Sequence, residues 1–272
     1  MDKQTLIRMA QEFVQHAADN YIAKDIALSA DVAGMQIFEA PIFAFGSAAD
    51  EYFKKLKHPH AIGEHFRLPE EWLPGAKTVI SFFLPFSEAV KKGNRKDKNW
   101  PSPEWLHGRI EGQAFVQKLC RYLQSVLGDE GYASVVPALD PRFWSNTDSP
   151  EHEAKFTSNW SERHVAFVCG LGTFGLSKGL ITPKGMAGRF GSLITTLDLP
   201  PDKREYEDLY EYCSMCGKCI KNCPARAITL EKGKDHALCS TFLEQTRAKF
   251  APRYGCGKCQ VGVPCESGIP NQ

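Results

Sequence analysis

Eight cysteines crowd the last sixty residues of the chain, and no other feature restricts the fold as much. Of 10 Cys in 272 residues, only Cys120 and Cys169 precede position 213; Cys213, Cys216, Cys219, Cys223, Cys239, Cys256, Cys259 and Cys265 follow it. The first thirty residues carry Asp2, Lys3, Arg8, Glu12, Asp19, Lys24 and Asp25 among their apolar positions. Such a segment is neither a secretory leader nor one of the ~20-residue apolar runs that cross a bilayer. A cytoplasmic chain is therefore expected, where thiols stay reduced, so the cysteines read as metal ligands rather than disulfides.

The spacing selects the metal. Cys213-x2-Cys216-x2-Cys219-x3-Cys223-Pro224 is the bacterial ferredoxin run, in which three thiolates wrap one cubane and the fourth is aimed at another. Zinc would ask for two separated pairs forming one tetrahedron, and a third cysteine two residues on has no place in that site. Cys239 and Cys256-x2-Cys259-x5-Cys265 complete two sets of four. Crossing assigns Cys213, Cys216, Cys219 and Cys265 to one 4Fe-4S cluster, and Cys223, Cys239, Cys256 and Cys259 to the other. Two clusters in so short a segment suit an electron relay better than a structural staple.

Ahead of the cysteines, hydrophobic residues at 43% and charged residues at 24% are ordinary globular usage. Apolar positions from Leu6 to Ala17 predict a helix capped by Asp2, and Thr78 to Phe86 predicts a buried strand. Ile110 to Leu127 predicts a second helix ended by Gly128, and Tyr132 to Val136 a further strand. Ser161 to Phe167 reads as a short helix entering a glycine-rich run, and Ser192 to Leu199 as a strand. Lys91 to Lys98 reads as a solvated loop. Pro200-Pro201 and the polar run after it mark a linker. Two units are expected, 1–201 for cofactor and substrate and 202–272 for the clusters.

The tail resembles the cluster domain of epoxyqueuosine reductases, whose pattern Y-G-C-x-x-C-Q is matched by Tyr254-Gly255-Cys256-Gly257-Lys258-Cys259-Gln260. The resemblance extends upstream to Cys169-Gly170-Leu171-Gly172-Thr173-Phe174-Gly175-Leu176-Ser177, similar to that family's A-G-L-G-W-x-G-K-N loop. Departures are Thr173-Phe174 in place of the family's Trp and the residue after it, Leu176-Ser177 in place of Lys-Asn, and a final cysteine two residues late.

The resemblance, shared with reductive dehalogenases, implies an α+β protein. In it a nitroreductase-like α/β domain holding cobalamin precedes a small ferredoxin-like domain with two 4Fe-4S clusters. It also implies that Gly170, Leu171, Gly172, Thr173, Phe174 and Gly175 face the corrinoid, the glycines admitting a large planar group without Cβ clashes. A nucleotide loop is disfavoured, since no clear strand precedes Gly170.

An acid near the cobalt must supply a proton. Asp140, in Pro137-Ala138-Leu139-Asp140-Pro141-Arg142, is the first candidate by resemblance, with Asp148 next. A turn-forming role paired with Arg142 is the simpler alternative for Asp140.

The remaining candidates are plainer. His58, His60 and His65 read as surface residues, Cys120 as core, and Trp160 to His164 as a brace for the glycine run, a cavity wall or core packing.

Lys and Arg number 33 against 32 Asp and Glu, a net charge of +1. That balance, and the lack of a helical-repeat extension after the clusters, point away from nucleic acid and a membrane and toward a small organic substrate. An external one-electron donor such as ferredoxin or flavodoxin is the expected partner. The alternative is a redox partner or activator of another corrinoid protein, with no substrate of its own.

Overall fold

The computed structural model describes residues 1–147, 149 and 152–271. In chain order its body comprises α1 (Lys3–His16), β1 (Ile42–Ser47), α2 (Glu51–Lys55), α3 (Pro69–Trp72), β2 (Thr78–Pro85), α4 (Glu88–Lys96) and α5 (Pro103–Asp129). These are followed by β3 (Ser134–Val135), β4 (Ser145–Asn146), β5 (Thr157–Ser158), α6 (Glu162–Cys169), β6 (Thr173–Phe174), β7 (Leu180–Ile181) and β8 (Gly188–Thr195). The tail adds α7 (Lys218–Asn222), β9 (Ile228–Thr229), β10 (Gly233–Lys234) and α8 (His236–Phe250). Among the described residues no helix is long and apolar enough to cross a membrane.

The framework is a four-stranded antiparallel sheet in the order β1-β2-β8-β3. Every residue of β2 is buried, because helices cover both faces. On one face Ile80, Phe82 and Leu84 of β2 and Leu193 of β8 meet Leu6, Ala10 and Val14 of α1 and Phe115, Leu119 and Leu123 of α5. On the other, Val79, Ala44 and Ile194 meet Val165, Ala166 and Val168 of α6. Each of the Val, Leu, Ile and Phe side chains among them contributes about 1.5–3 kcal/mol by leaving water.

Local chemistry sets the helix starts. Asp2 caps α1 by accepting from the Thr5 N–H at 2.8 Å, as expected. Ser102 caps α5 through the Trp105 N–H, with Pro103 in the first turn, so this helix starts seven residues before the apolar stripe suggests. Gly128 does not end it: the helix runs on through Asp129, and the chain turns at Gly131, whose φ is +82°. Tyr132 to Val136 yields only the two-residue β3, and β8 starts at Gly188 rather than Ser192.

Lys91 to Lys98 is not a solvated loop. Most of it is α4, whose inner face buries Val90 and Asn94, and Lys91 is 5% exposed, its ammonium reaching Glu39 and Ser267. A long aliphatic stem lets a lysine sit on the inner face while its head finds oxygen.

The tail is fastened along its length. Asp202 accepts from the Phe45 N–H at 2.9 Å. Arg253 forms a two-pronged pair with Glu111 of α5 at 2.6 and 2.7 Å, and Arg95 of α4 reaches Glu266. The Met186 N–H donates to the Cys265 carbonyl at 2.9 Å. Val261 belongs to the larger core.

Candidate redox site

The eight tail cysteines line two separate cavities. Cys213, Cys216, Cys219 and Cys265 line one of about 360 Å³, together with Gly175, Leu176, Ser177 and Met186. Cys223, Cys239, Cys256 and Cys259 line the other, of about 790 Å³, with Trp105, Arg109, Arg189, Lys234 and Phe242. The left-handed Gly217 (φ +70°) opens α7 between Cys216 and Cys219, which lets the first three sulfurs of the run stay on one side. Cys223 follows α7, where the Ala227 N–H donates to its sulfur at 3.3 Å.

Among the described residues no three His, Cys, Asp or Glu side chains converge closely enough for a single metal ion. A cubane asks for something else: four thiolates spread around a multi-atom body, with space between them. Two observations fit that group. Each donor set is four sulfurs, the ligand type cubanes use. The Arg109 Nε–H, buried on the wall of the second cavity, has no hydrogen-bond partner among the described residues, and a cluster sulfur there would be an acceptor for it. Burial and the neighbouring thiols push Cys219 up to about 11 and Cys256 and Cys265 up to about 12. These thiols hold their protons at neutral pH until a cation displaces them, so metal uptake releases acid.

Of the residues expected to face a corrinoid, Gly170 to Phe174 pack against their own chain and Gly175 lines the first cavity. Gly170 is the left-handed cap of α6, at φ +104°. A Cβ at Gly172 would fall on the Ile181 carbonyl of β7, and one at Gly175 would press on the Ile181 side chain. Thr173 accepts from the Tyr212 N–H at 2.8 Å and the Phe174 N–H donates to Leu209. Leu171, Thr173 and Phe174 are buried. The glycines thus serve close packing of the β6–β7 hairpin, which seats the approach to Cys213, while Gly175, Leu176 and Ser177 form cavity wall.

The segment before the run braces it. His164 packs its ring on Phe174 with centroids 4.9 Å apart, and Arg163 donates to the Lys178 carbonyl at 2.8 Å. Trp160 donates to Ser192 at 2.9 Å. Burial holds the Glu162 carboxyl up at about 7, against a hydrogen bond to Ser192 that lowers it.

Asp140 is not placed as a retained acid. Its carboxylate accepts from Arg142 Nε at 2.8 Å and Nη2 at 2.7 Å, and this pairing holds it below the usual carboxylate range. Ionised at neutral pH, it has no proton to give in this arrangement, and the turn-forming alternative describes its surroundings. Asp148 lies outside the described residues. His58 and His60 pack ring against ring at a 41° tilt in an exposed turn, whereas His65 bonds Thr157 at 2.8 Å. Cys120 and Cys169 are buried core residues.

Sequence reasoning passed over Arg109, Arg189 and Lys234. The visible signal was a cation in apolar surroundings: Arg109 within the apolar α5, and Arg189 between Gly188 and Phe190 at the start of β8. Burial and nearby Arg109 push the Arg189 guanidinium down to about 9.

No family model matches the chain. Curated relatives include epoxyqueuosine reductase of Lactococcus garvieae, 29% identical over 229 residues that cover 76% of this chain and 58% of the relative. The epoxyqueuosine reductase of Staphylococcus aureus is 32% identical over 119 residues, 40% of this chain and 30% of the relative. Tetrachloroethene reductive dehalogenase of Desulfitobacterium hafniense is 42% identical over 69 residues, 25% of this chain and 12% of the relative. Among solved structures, an epoxyqueuosine reductase superposes with TM-score 0.56 at 20% identity, covering 99% of this chain and 67% of that one. These relatives are oxidoreductases, and sequence and fold set the chain beside them. In particular, it is similar to epoxyqueuosine reductases and reductive dehalogenases, and it spans about 30–58% of the length of the curated epoxyqueuosine reductases it matches.

The expectation of a small-molecule substrate and no nucleic acid is overturned. One similar structure, at TM-score 0.52 and 18% identity over 98% of this chain and 68% of that one, is epoxyqueuosine reductase with an epoxyqueuosine-modified tRNA stem loop. Net charge does not decide between the two, because it is a sum over the whole surface. Arg95, Lys98, Lys218, Lys221, Arg226 and Lys258 share one cleft of about 1250 Å³, on whose described wall Asp97 is the single carboxylate.

Proposed function

We propose that this chain is a reductase that passes electrons through two 4Fe-4S clusters to a corrinoid and acts on an RNA substrate. The clusters are held by Cys213, Cys216, Cys219 and Cys265, and by Cys223, Cys239, Cys256 and Cys259. The observation that carries this reading is the sorting of eight cysteines into two cavities by crossed sets of four. The same reading divides the chain near residue 201 into a nitroreductase-like body and a ferredoxin-like tail.

Cobalamin comes from the relatives, one of which is a reductive dehalogenase whose structure suggests a mechanism for B12-dependent dehalogenation. The 170–175 loop packs on Ile181, Leu209 and Tyr212 and is given no part in holding it. What this chain's residues do is supply the eight thiolates, orient the tail through Glu111–Arg253 and Arg95–Glu266, and offer cations to phosphate. Asp140 serves as acid only if its carboxylate parts from the Arg142 guanidinium; one similar structure is of epoxyqueuosine reductase with a catalytic aspartate loop swung out of its active site.

The test is binding of a labelled tRNA stem loop at 50 and 200 mM salt. Binding that weakens steeply with salt and falls at least tenfold in a Lys218→Glu, Lys221→Glu double variant is expected. A second reading, an electron-transfer partner of another corrinoid protein, is favoured by the packed glycine loop. It gains if no RNA binds at 50 mM salt and calorimetry shows no cobalamin uptake under reducing conditions.

A further inference from the structure

The two cysteine cavities differ in charge as sharply as they agree in ligands. No charged side chain is on the described wall of the first, where the four cysteines sit among Leu176, Ile181, Met186, Val263, Pro264 and Pro270. Arg109, Arg189 and Lys234 are all on the wall of the second, with no carboxylate beside them.

Neither guanidinium is neutralised by its own bonds. Arg189 donates to the Gln113 side chain at 3.2 Å and to the Arg109 carbonyl at 2.8 Å. Arg109 lies over the Tyr254 ring at 4.1 Å and keeps a buried Nε–H without a partner. On the first wall Cys216 is exposed and Met215 is 42% exposed, whereas none of the four cysteines of the second wall is exposed.

Reducing a cluster adds one negative charge to it. Fixed cations in a poorly solvated wall stabilise that charge, and an N–H donor to cluster sulfur acts in the same direction.

We propose that this chain imposes a direction on electron flow, from the cluster of Cys213, Cys216, Cys219 and Cys265 to the cluster of Cys223, Cys239, Cys256 and Cys259. Arg109, Arg189 and Lys234 set the higher reduction potential of the second. The proposal rests on the two-cluster reading. Electrons enter at the exposed first cluster and settle on the second, which faces α5 and β8 of the body. The three cations are tuning residues, since they act through the cluster and need touch no substrate.

The experiment is an anaerobic redox titration of the whole reconstituted protein followed by electron paramagnetic resonance, with iron counted in the same samples. Two midpoints are expected, the higher belonging to the signal that Cys256→Ser removes. Arg109→Gln and Arg189→Gln should each lower that midpoint, reducing the electron-transfer equilibrium toward the second cluster by roughly tenfold or more, and leave the other midpoint in place. Arg189→Lys, which keeps the charge, should restore most of the shift. About eight irons with coincident midpoints, or midpoints that neither glutamine variant moves, overturn the gradient and leave the two clusters standing. Four irons or none overturn both.

Discussion

Gly172→Ala should cost the protein about 3 kcal/mol or more and strip iron from the first cluster before the second. The expectation follows from a close approach: the added methyl would fall on the Ile181 carbonyl, a backbone group held by pairing of Phe174 with Leu180 and Thr173 with Ile181. Backbone cannot rotate aside as a flexible side chain does, so the hairpin must open. Gly175, Leu176 and Ser177, which follow β6 directly, line the first cavity, so an opened hairpin disturbs that wall. Gly128→Ala is the control, because nothing lies within 4 Å of its added methyl. Thermal unfolding with iron release monitored in parallel checks both. A Gly172→Ala protein as stable as the control would show that the glycine run is not needed for packing.

The second large effect concerns the attachment of the tail. Glu111 is a partly buried carboxylate, a setting that by itself would raise its pKa. Hydrogen bonds from His107 at 2.9 Å and from Arg253 nevertheless hold it down at about 2. His107 donates from Nδ1 here, because its Nε2 accepts from the Leu28 N–H at 3.1 Å. Glu111→Gln should destabilise the protein by about 3 kcal/mol at pH 7, since it leaves the Arg253 guanidinium, 13% exposed, without its charge partner.

A folded-state pKa below the unfolded one contributes stability that is present above about pH 4.5 and is lost as pH falls toward 2. The variant should therefore differ most from the parent near neutrality and converge on it in acid. Denaturant unfolding at pH 7 and pH 4 measures this. A difference that grows on acidification would contradict the assignment.

What the sequence disclosed and what it hid follow one physical division. The cysteine run was legible because its spacing is local: a turn and a short helix decide which sulfurs share a side. The β2 strand was legible because burial on both faces leaves a continuous apolar run. β1 was missed, since Ile42 to Ser47 mixes Phe, Ala and Gly with no alternation and follows Pro41. α4 was hidden by its run of lysines, of which Lys91 lies on the inner face.

The site shows the same contrast. Asp140 and Arg142 are two residues apart, so their pairing could be anticipated, whereas a retained proton on Asp140 rested on resemblance alone. Arg109, Arg189 and Lys234 come from α5, β8 and β10, and no spacing in the sequence shows that they share a wall. The basic cleft is equally non-local, drawing on residues 95 to 98, 218 to 226 and 258.

The central claim is the crossed pairing of eight cysteines around two clusters, and counting iron in paired substitutions tests it most directly. Anaerobically reconstituted protein should hold about eight irons per chain with matching sulfide. Cys213→Ser with Cys265→Ser removes ligands from one cluster only and should leave about four. Cys223→Ser with Cys265→Ser touches both and should leave close to none. Four irons in the parent, zinc in place of iron, or an exchange of these two outcomes would contradict the account.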